Sequence, residues 1–340
     1  MLDKLVNYAK NFKLSDIHMH SDEPIALRVH GVIEVQKDDF ITKQQMQDFI
    51  NSVLDDKQKV HFQNQRDLDL AIEHQDIRFR VNIYNTMRGP NAVLRKIETR
   101  APLIEELHLP KAIMEITHER NGLVLITGPT GSGKSTTLSA IINNINENRK
   151  ENIITIEDPI EFVHKSKQCL VSQREVGRDS LTFASALKAS LREDPDVILL
   201  GEMRDLETIS LALTAAETGH LVFGTLHTNS APSSINRMLD VFPPSQQAQA
   251  RSQLSQSLRL VATQRLIRRC DKPGRVAAYE IMLCNTAVGN LIRENKIFQI
   301  EHAMQTGKAL GMMTMKESIK VLLASGIINK SEVLDVDLNF

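Results

Sequence analysis

The chain reads as an α/β protein. A small α+β domain comes first, then a mostly parallel sheet covered by helices, with a helical C-terminal region. Three observations predict this. Its 340 residues are enough for two separate cores. From about residue 112, short apolar runs alternate with helical patterns, the order of a parallel sheet. And the stretch GPTGSGKST, residues 128–136, joins the first of those runs to a helix.

The elements follow in order. MLDKLVNYAKNFKLSD sets Leu2, Leu5, Val6, Ala9 and Phe12 at helical spacing, an amphipathic helix; it has no unbroken apolar core, so it is not expected to be a signal peptide. SDIHMH and ALRVHGVIEV read as short strands around polar turns, and residues 43–61 as a helical stretch. DLDLAIEH, DIRFRVNIY and NAVLRKIE are strands; the last two flank NTMRGP and form a hairpin. The first domain therefore spans residues 1–98. Residues 99–111, with two prolines and little periodicity, are read as a linker to a second domain at 112–340. There the order is GLVLITG, a helix from 134, NIITIEDP, a helix near 181–192, DVILLGE, a helix near 205–217, and HLVFGTLH. Beyond Asn229 the chain reads as largely helical, with one hairpin across RRCDKPGRVAAYEIM.

Composition narrows the function classes. Lys plus Arg (41) nearly balances Asp plus Glu (42), so no overall field points to nucleic acid. With no Trp and three Tyr, the chain offers few stacking platforms for a single strand. Cys169, Cys270 and Cys284 form no CxxC pair, so neither a zinc ribbon nor a disulfide framework is expected, and the reducing cytosol is the expected compartment. No apolar run is long enough to span a bilayer.

GPTGSGKST matches GxxxxGK[ST] between a strand and a helix, the setting in which that pattern binds nucleoside triphosphate. Gly128, Gly131 and Gly133 let the backbone turn its amides onto phosphate oxygens, with Pro129, Thr130, Ser132 and Thr136 completing the loop. Lys134 reaches the outer phosphates, Ser135 is placed for magnesium, and the helix N-terminus adds partial positive charge. Binding follows from this loop; hydrolysis needs more.

Two further strands end in acids. NIITIEDPIEF supplies Glu157, Asp158 and Glu161, and VILLGEMRD supplies Glu202. In a parallel sheet the carboxyl ends of strands share the edge that carries the phosphate loop. A carboxylate there is costly unless it meets a cation, a water to polarise or a basic partner. Many P-loop ATPases end such a strand in an Asp near the magnesium; here the run ends in Gly201 and the first acid is Glu202. Glu202 is placed to orient or deprotonate water, or to reach magnesium through water, and Glu161 to take the other role. The plainer alternative is that these acids cap helices or pair with Arg192 or Arg204, and that Asp158, before Pro159, is a turn residue.

His227 ends another buried strand that begins at His220, and is placed to meet a terminal phosphate; a lone histidine is as often structural. In the N-terminal hairpin, pairing Tyr84 with Asn91 sets Arg80 opposite Arg95. Like charges so placed cost a few tenths to about 1 kcal/mol, and a bound anion would reverse the sign. The alternative is a different register or two splayed, solvated arginines.

In their order, GPTGSGKST, ITIEDPIEFVH, DPDVILLGEMRDLETI and TAAETGHLVFGTLHT resemble the secretion ATPase superfamily of type II secretion and type IV pilus machines, and within it the pilus retraction ATPases. SDIHMH, RFRVNIY, QREVGRD, VFP, GRVAAYEIM and NLIRE extend the likeness over nearly the whole chain. The resemblance implies a PAS-like N-terminal domain, a RecA-like P-loop ATPase domain, and a hexameric ring that hydrolyses ATP with Mg2+ to drive pilus retraction and twitching motility. It implies an Asp box with Glu157, Asp158 and Glu161, an atypical Walker B with Glu202 as main candidate base, and a His box with His220 and His227. Arg80 and Arg95 match arginines that reach nucleotide from the N-terminal domain. Magnesium would rest mainly on Ser135, phosphate oxygens and water, with Glu157 and Asp158 as further candidates. The implied partners are other copies in a homohexamer, an inner-membrane platform protein (PilC-like) and a PilU-like accessory ATPase, at the cytoplasmic face of the inner membrane, with no direct nucleic-acid contact.

Two departures stand out. Where this family's retraction motif usually reads AIRNLIRE, this chain has AVGNLIRE; Gly289 removes a cation and loosens a helix by about 1 kcal/mol relative to Ala. Gly177 in QREVGRD replaces a His common in retraction ATPases, as in their accessory relatives. The four-cysteine zinc insertion and longer N-terminus of extension ATPases are not found in this sequence, so retraction is expected over assembly. Two rival classes are a RecA-type nucleic-acid translocase, which needs DNA-stimulated turnover, and an adaptor that binds ATP without hydrolysing it.

Overall fold

The computed structural model describes residues 1–29, 31–75, 77–97 and 101–334. The expected domain junction at 98–100 and the last six residues of the second expected domain lie outside the described residues. The chain divides into two compact units, Met1–Arg100 and Ala101–Phe340.

The first unit runs α1 (Leu2–Asn11), β1 (Leu14–Met19), β2 (Glu23–Val29), β3 (Val32–Ile41), α2 (Lys43–Val53), α3 (Asp56–Gln65), β4 (Asp67–His74), β5 (Ile77–Thr86) and β6 (Gly89–Ile97). Its strands make one antiparallel sheet in the order β3-β2-β1-β6-β5-β4. Alternate residues such as Ile17, Leu27, Val81 and Leu94 bury one face against Leu5 and Val6 of α1 and Phe49 and Ile50 of α2. The stretch at 43–61 is two helices, because Leu54 leaves α2 extended and Asp55 opens α3 with its own capping box. The hairpin has the register read from its turn: Tyr84 faces Asn91 and Arg80 faces Arg95.

The second unit runs α4 (Lys111–Glu115), β7 (Gly122–Thr127), α5 (Lys134–Asn148), β8 (Asn152–Glu157), β9 (Leu170–Glu175), α6 (Phe183–Ser190), β10 (Val197–Leu200), α7 (Leu206–Glu217), β11 (Leu221–Leu226), α8 (Ala231–Asp240), α9 (Pro244–Ser257), β12 (Leu258–Arg268), β13 (Arg275–Leu283), α10 (Thr286–Arg293), α11 (Ile300–Thr306) and α12 (Met315–Ala324). The sheet order is β13-β12-β7-β11-β10-β8-β9, parallel except for β13. Strands β7, β10 and β11 are buried along their whole length, which is why they read as unbroken apolar runs. Leu123, Leu125, Ile198 and Val222 feed one core, with α7 and α9. Their neighbours Val124, Ile126, Leu199 and Phe223 feed another, with α5. Ile104 and Leu109, from the stretch read as a linker, are buried in that second core.

The hairpin expected across RRCDKPGRVAAYEIM is present as the β12–β13 pair, but β9 and the body of β12 before Arg268 were not foreseen. β9 is a polar edge strand with no apolar run, and β12 follows α9 directly with no glycine or proline between them. β12 lies beside β7, under the phosphate loop. Gly289 is buried on α10, and a Cβ there would stand 3.1 Å from the Ser255 carbonyl oxygen of α9. The glycine therefore lets two helices approach closely, in addition to removing a cation.

Candidate functional site

Residues 128–136 leave the carboxyl end of β7 and enter α5 at Lys134, with Gly133 as N-cap in the left-handed conformation. Only glycine fits two of these positions. At Gly128 (φ +139°) a Cβ would lie 2.3 Å from the Gln264 carbonyl oxygen, and at Gly133 (φ +90°) 2.8 Å from Gln264 Nε2. Thr137 Oγ1 donates to Gln264 Oε1 at 2.8 Å. Buried Gln264 thus forms the floor of the loop, a role sequence reasoning missed because its segment was taken as helical. Lys134 Nζ donates to the Gly128 and Pro129 carbonyls at 2.8 and 3.1 Å. Burial lowers its pKa, opposed by the charges of Glu202 and Glu161. Ser132 Oγ is buried with no hydrogen-bond partner among the described residues, a polar atom suited to a ligand.

Strand order explains the rest. β11 lies between β7 and β10, so residues following it fall between the loop and Glu202. His227 Nδ1 is 3.5 Å from Thr130 Oγ1, and Nε2 is 3.4 Å from Glu202 Oε1. Glu202 also takes a two-point contact from Arg204, Nε to Oε1 at 2.5 Å and Nη2 to Oε2 at 2.6 Å. The plainer alternative of an Arg204 partner is therefore present, together with the approach to His227. Burial raises the Glu202 pKa, but the Arg204 hydrogen bond and charge, with His227, outweigh it and hold the carboxyl below its ordinary value. The glycine before it has a steric reason. A Cβ at Gly201 would lie 3.2 Å from Glu157 Cα, and the Gly201 carbonyl accepts from Thr225 Oγ1 at 2.5 Å.

Glu157 ends β8, next to β10. Its Oε1 accepts from Thr155 Oγ1 at 2.6 Å and from Gln173 Nε2 at 3.2 Å, and burial raises its pKa. Asp158 lies close enough for its charge to act on Arg204. Ser135 stands in the first turn of α5. Among the described residues no three His, Cys, Asp or Glu side chains are grouped to hold a metal ion. His220 sits at the amino end of β11, with Nδ1 2.9 Å from the Ala215 carbonyl. It is at the opposite edge of the sheet from the loop, so the two histidines of the implied His box do not meet within one chain.

Arg80 and Arg95 belong to the first unit, and each has an acid. Arg80 pairs with Asp69 at 2.5 Å and Arg95 with Asp16 at 2.9 Å. The like-charge opposition is therefore offset inside the sheet, and no bound anion is needed to account for it.

In the second unit a cavity of about 770 Å³ opens beside the loop, lined by Gly133, Thr136, Thr137, Gln264, Tyr279 and other residues. That is the size of a small-molecule site.

Parallel sheet, phosphate loop and flanking acid define the class: a P-loop ATPase. The chain belongs to the type II/IV secretion system protein family, whose model matches residues 1–334. It is 51% identical to the twitching motility protein of Neisseria gonorrhoeae over 303 residues, 89% of this chain and 81% of that protein. It is 48% identical to the type IV pilus retraction ATPase PilT of Pseudomonas aeruginosa over 330 residues, 97% of this chain and 96% of that one. The crystal structure of a pilus retraction motor PilT with bound ADP superposes with a TM-score of 0.91 at 43% identity, covering 98% of this chain and 95% of that one. Among the described residues no helix is long and apolar enough to cross a membrane.

Proposed function

We propose that this protein is a motor that hydrolyses ATP to retract type IV pili, and so drives twitching motility. The observation that carries the reading is the line of Thr130, His227 and Glu202 along the edge of the sheet that holds the phosphate loop. The similarity to pilus retraction ATPases over nearly the whole chain assigns that chemistry to pilus retraction.

The amides of residues 128–136 and Lys134 hold the phosphates, the buried Ser132 hydroxyl takes a ligand oxygen, and the adjoining cavity takes the nucleoside. Ser135, with water, would hold magnesium, which would supply neutralisation of phosphate charge. Glu157, already engaged by Thr155 and Gln173, is a poorer metal ligand than sequence reasoning allowed. Glu202 is ionised at neutral pH and orients or deprotonates the attacking water, with Glu161 contributing charge nearby. His227 reports the terminal phosphate to Glu202. Arg80 and Arg95 exchange their acids for nucleotide phosphate in a homohexameric ring, which acts on a platform protein from the cytoplasmic face of the inner membrane.

Purified protein decides the chemistry and a deletion strain decides the biology. Glu202→Gln is expected to lower turnover at least a hundredfold, within the range roughly expected of a general base, while nucleotide still binds. The strain is expected to carry more pili and to lose twitching. Loss of pili would assign the protein to extension; turnover that requires DNA would assign it to translocation.

A further inference from the structure

The acids of the loop after β8 need a rigid support, and β9 supplies one. This short edge strand bonds to β8 alone in the sheet. Its alternate side chains Gln173 and Glu175 reach over the loop that carries Asp158 and Glu161. Gln173 Nε2 donates to the Phe162 carbonyl at 2.9 Å and to Glu157 Oε1 at 3.2 Å. Its Oε1 accepts from the His164 backbone N–H at 2.7 Å. Two strand positions on, buried Glu175 accepts from the Ile160 N–H through Oε2 at 3.2 Å. The backbone on either side of Glu161 is thereby fixed at three points. His164 Nε2, 3.4 Å from Ser139 Oγ, adds a fourth contact, to the helix that begins in the phosphate loop.

We infer that Gln173 is a positioning residue for hydrolysis, holding the Glu161 loop at the phosphate-loop edge. One amide does this because it presents donor and acceptor together. Its nitrogen serves a carboxylate and a carbonyl while its oxygen takes an N–H. A hydrophobic residue there would take this partner from the Phe162 carbonyl and the His164 N–H, and one of its donors from Glu157. A glutamate would keep the acceptor, lose both donor bonds and set a second negative charge against Glu157. The inference rests on the reading of Glu161 as part of the catalytic machinery.

The test is steady-state ATPase kinetics on the full chain, comparing wild type, Gln173→Ala, Gln173→Glu, Glu161→Gln and the double variant Gln173→Ala with Glu161→Gln. Both single changes at Gln173 are expected to lower kcat roughly ten- to hundredfold, the effect of a catalytic group displaced by about an ångström, with KM within about twofold of wild type. The double variant is expected to be no slower than Glu161→Gln alone, because a residue acting through Glu161 has nothing left to position. A merely structural residue would lower activity multiplicatively on top of Glu161→Gln, and that result overturns the inference. So does a wild-type rate in either Gln173 variant, or a change confined to KM. If Gln173→Ala does not fold, Gln173→Glu, which keeps the side-chain volume, decides. A wild-type rate in Glu161→Gln removes Glu161 from the mechanism and this inference with it. A slow Glu161→Gln beside unaffected Gln173 variants overturns the inference alone.

Discussion

His227 Nε2 stands 3.4 Å from Glu202 Oε1, on the side of the carboxylate toward the phosphate loop. Arg204 grips the same carboxylate. The acid is thus contacted by a guanidinium and by an imidazole. This arrangement answers the puzzle of a strand that ends in Gly201. The glycine lets the chain pass the Glu157 backbone, and the longer Glu side chain reaches back toward the loop.

Removing Arg204 should change the pH dependence of the reaction. With Arg204 and His227 present, the Glu202 pKa is below the ordinary carboxylate value. Arg204→Ala leaves burial less opposed, so the pKa rises. The acid limb of the kcat/KM profile should move to higher pH, with the plateau kept above it. A limb that stays in place assigns the titration to another group.

Gly128→Ala should fail before nucleotide arrives. The new methyl would meet the Gln264 carbonyl at 2.3 Å, at a φ of +139° that side chains rarely adopt. We expect a loss of about 2 kcal/mol or more in urea unfolding. Gly131→Ala, also at positive φ but with nothing within 4 Å, should lose less.

His164 gives the second unit an acid sensitivity. Burial, then the charge of Lys167, lowers its pKa from 6.5 to about 4. The unfolded chain binds a proton near pH 6.5 and the folded one only near pH 4, so stability falls as pH drops through that window and is unaffected above it. His164→Gln should flatten the slope of melting temperature between pH 6.5 and 4. An unchanged slope places the sensitivity elsewhere.

How far the sequence was legible follows local chemistry. The phosphate loop is written in consecutive residues, and its neighbouring strands in apolar runs, because both faces of β7, β10 and β11 are buried. The Arg80–Arg95 register was readable because a tight turn counts residues outward. Gln264 was not, since its contact with Thr137 joins a strand and a helix far apart in sequence. Nor were the partners of Arg80 and Arg95, since Asp69 and Asp16 lie on other strands. Gln173 escaped notice because a half-buried strand of mostly polar residues carries no hydrophobic period.

The two arginines should also differ in what they hold together. Asp16 is 7% exposed and pairs with Arg95, itself 67% exposed, whereas Arg80 and Asp69 are both more than 40% exposed; the difference lies in the carboxylate. Arg95→Ala removes the nearer cation of a buried carboxylate and should destabilise the first unit by about 1–2 kcal/mol, less than a fully buried pair because Arg28 remains 3.8 Å from Asp16. Arg80→Ala should cost under about 1 kcal/mol. Denaturant unfolding of the two variants checks the order.

Because each guanidinium already has a carboxylate, a phosphate reaching either one, in the role proposed above, would have to displace it. Such an exchange runs close to balance, so modest differences in ligand charge decide its direction. The extra charge of a triphosphate over a diphosphate is a difference of that kind. Under that proposal, a clasp built on substitution would open as easily as it shuts, which suits a machine that discards its fuel every cycle.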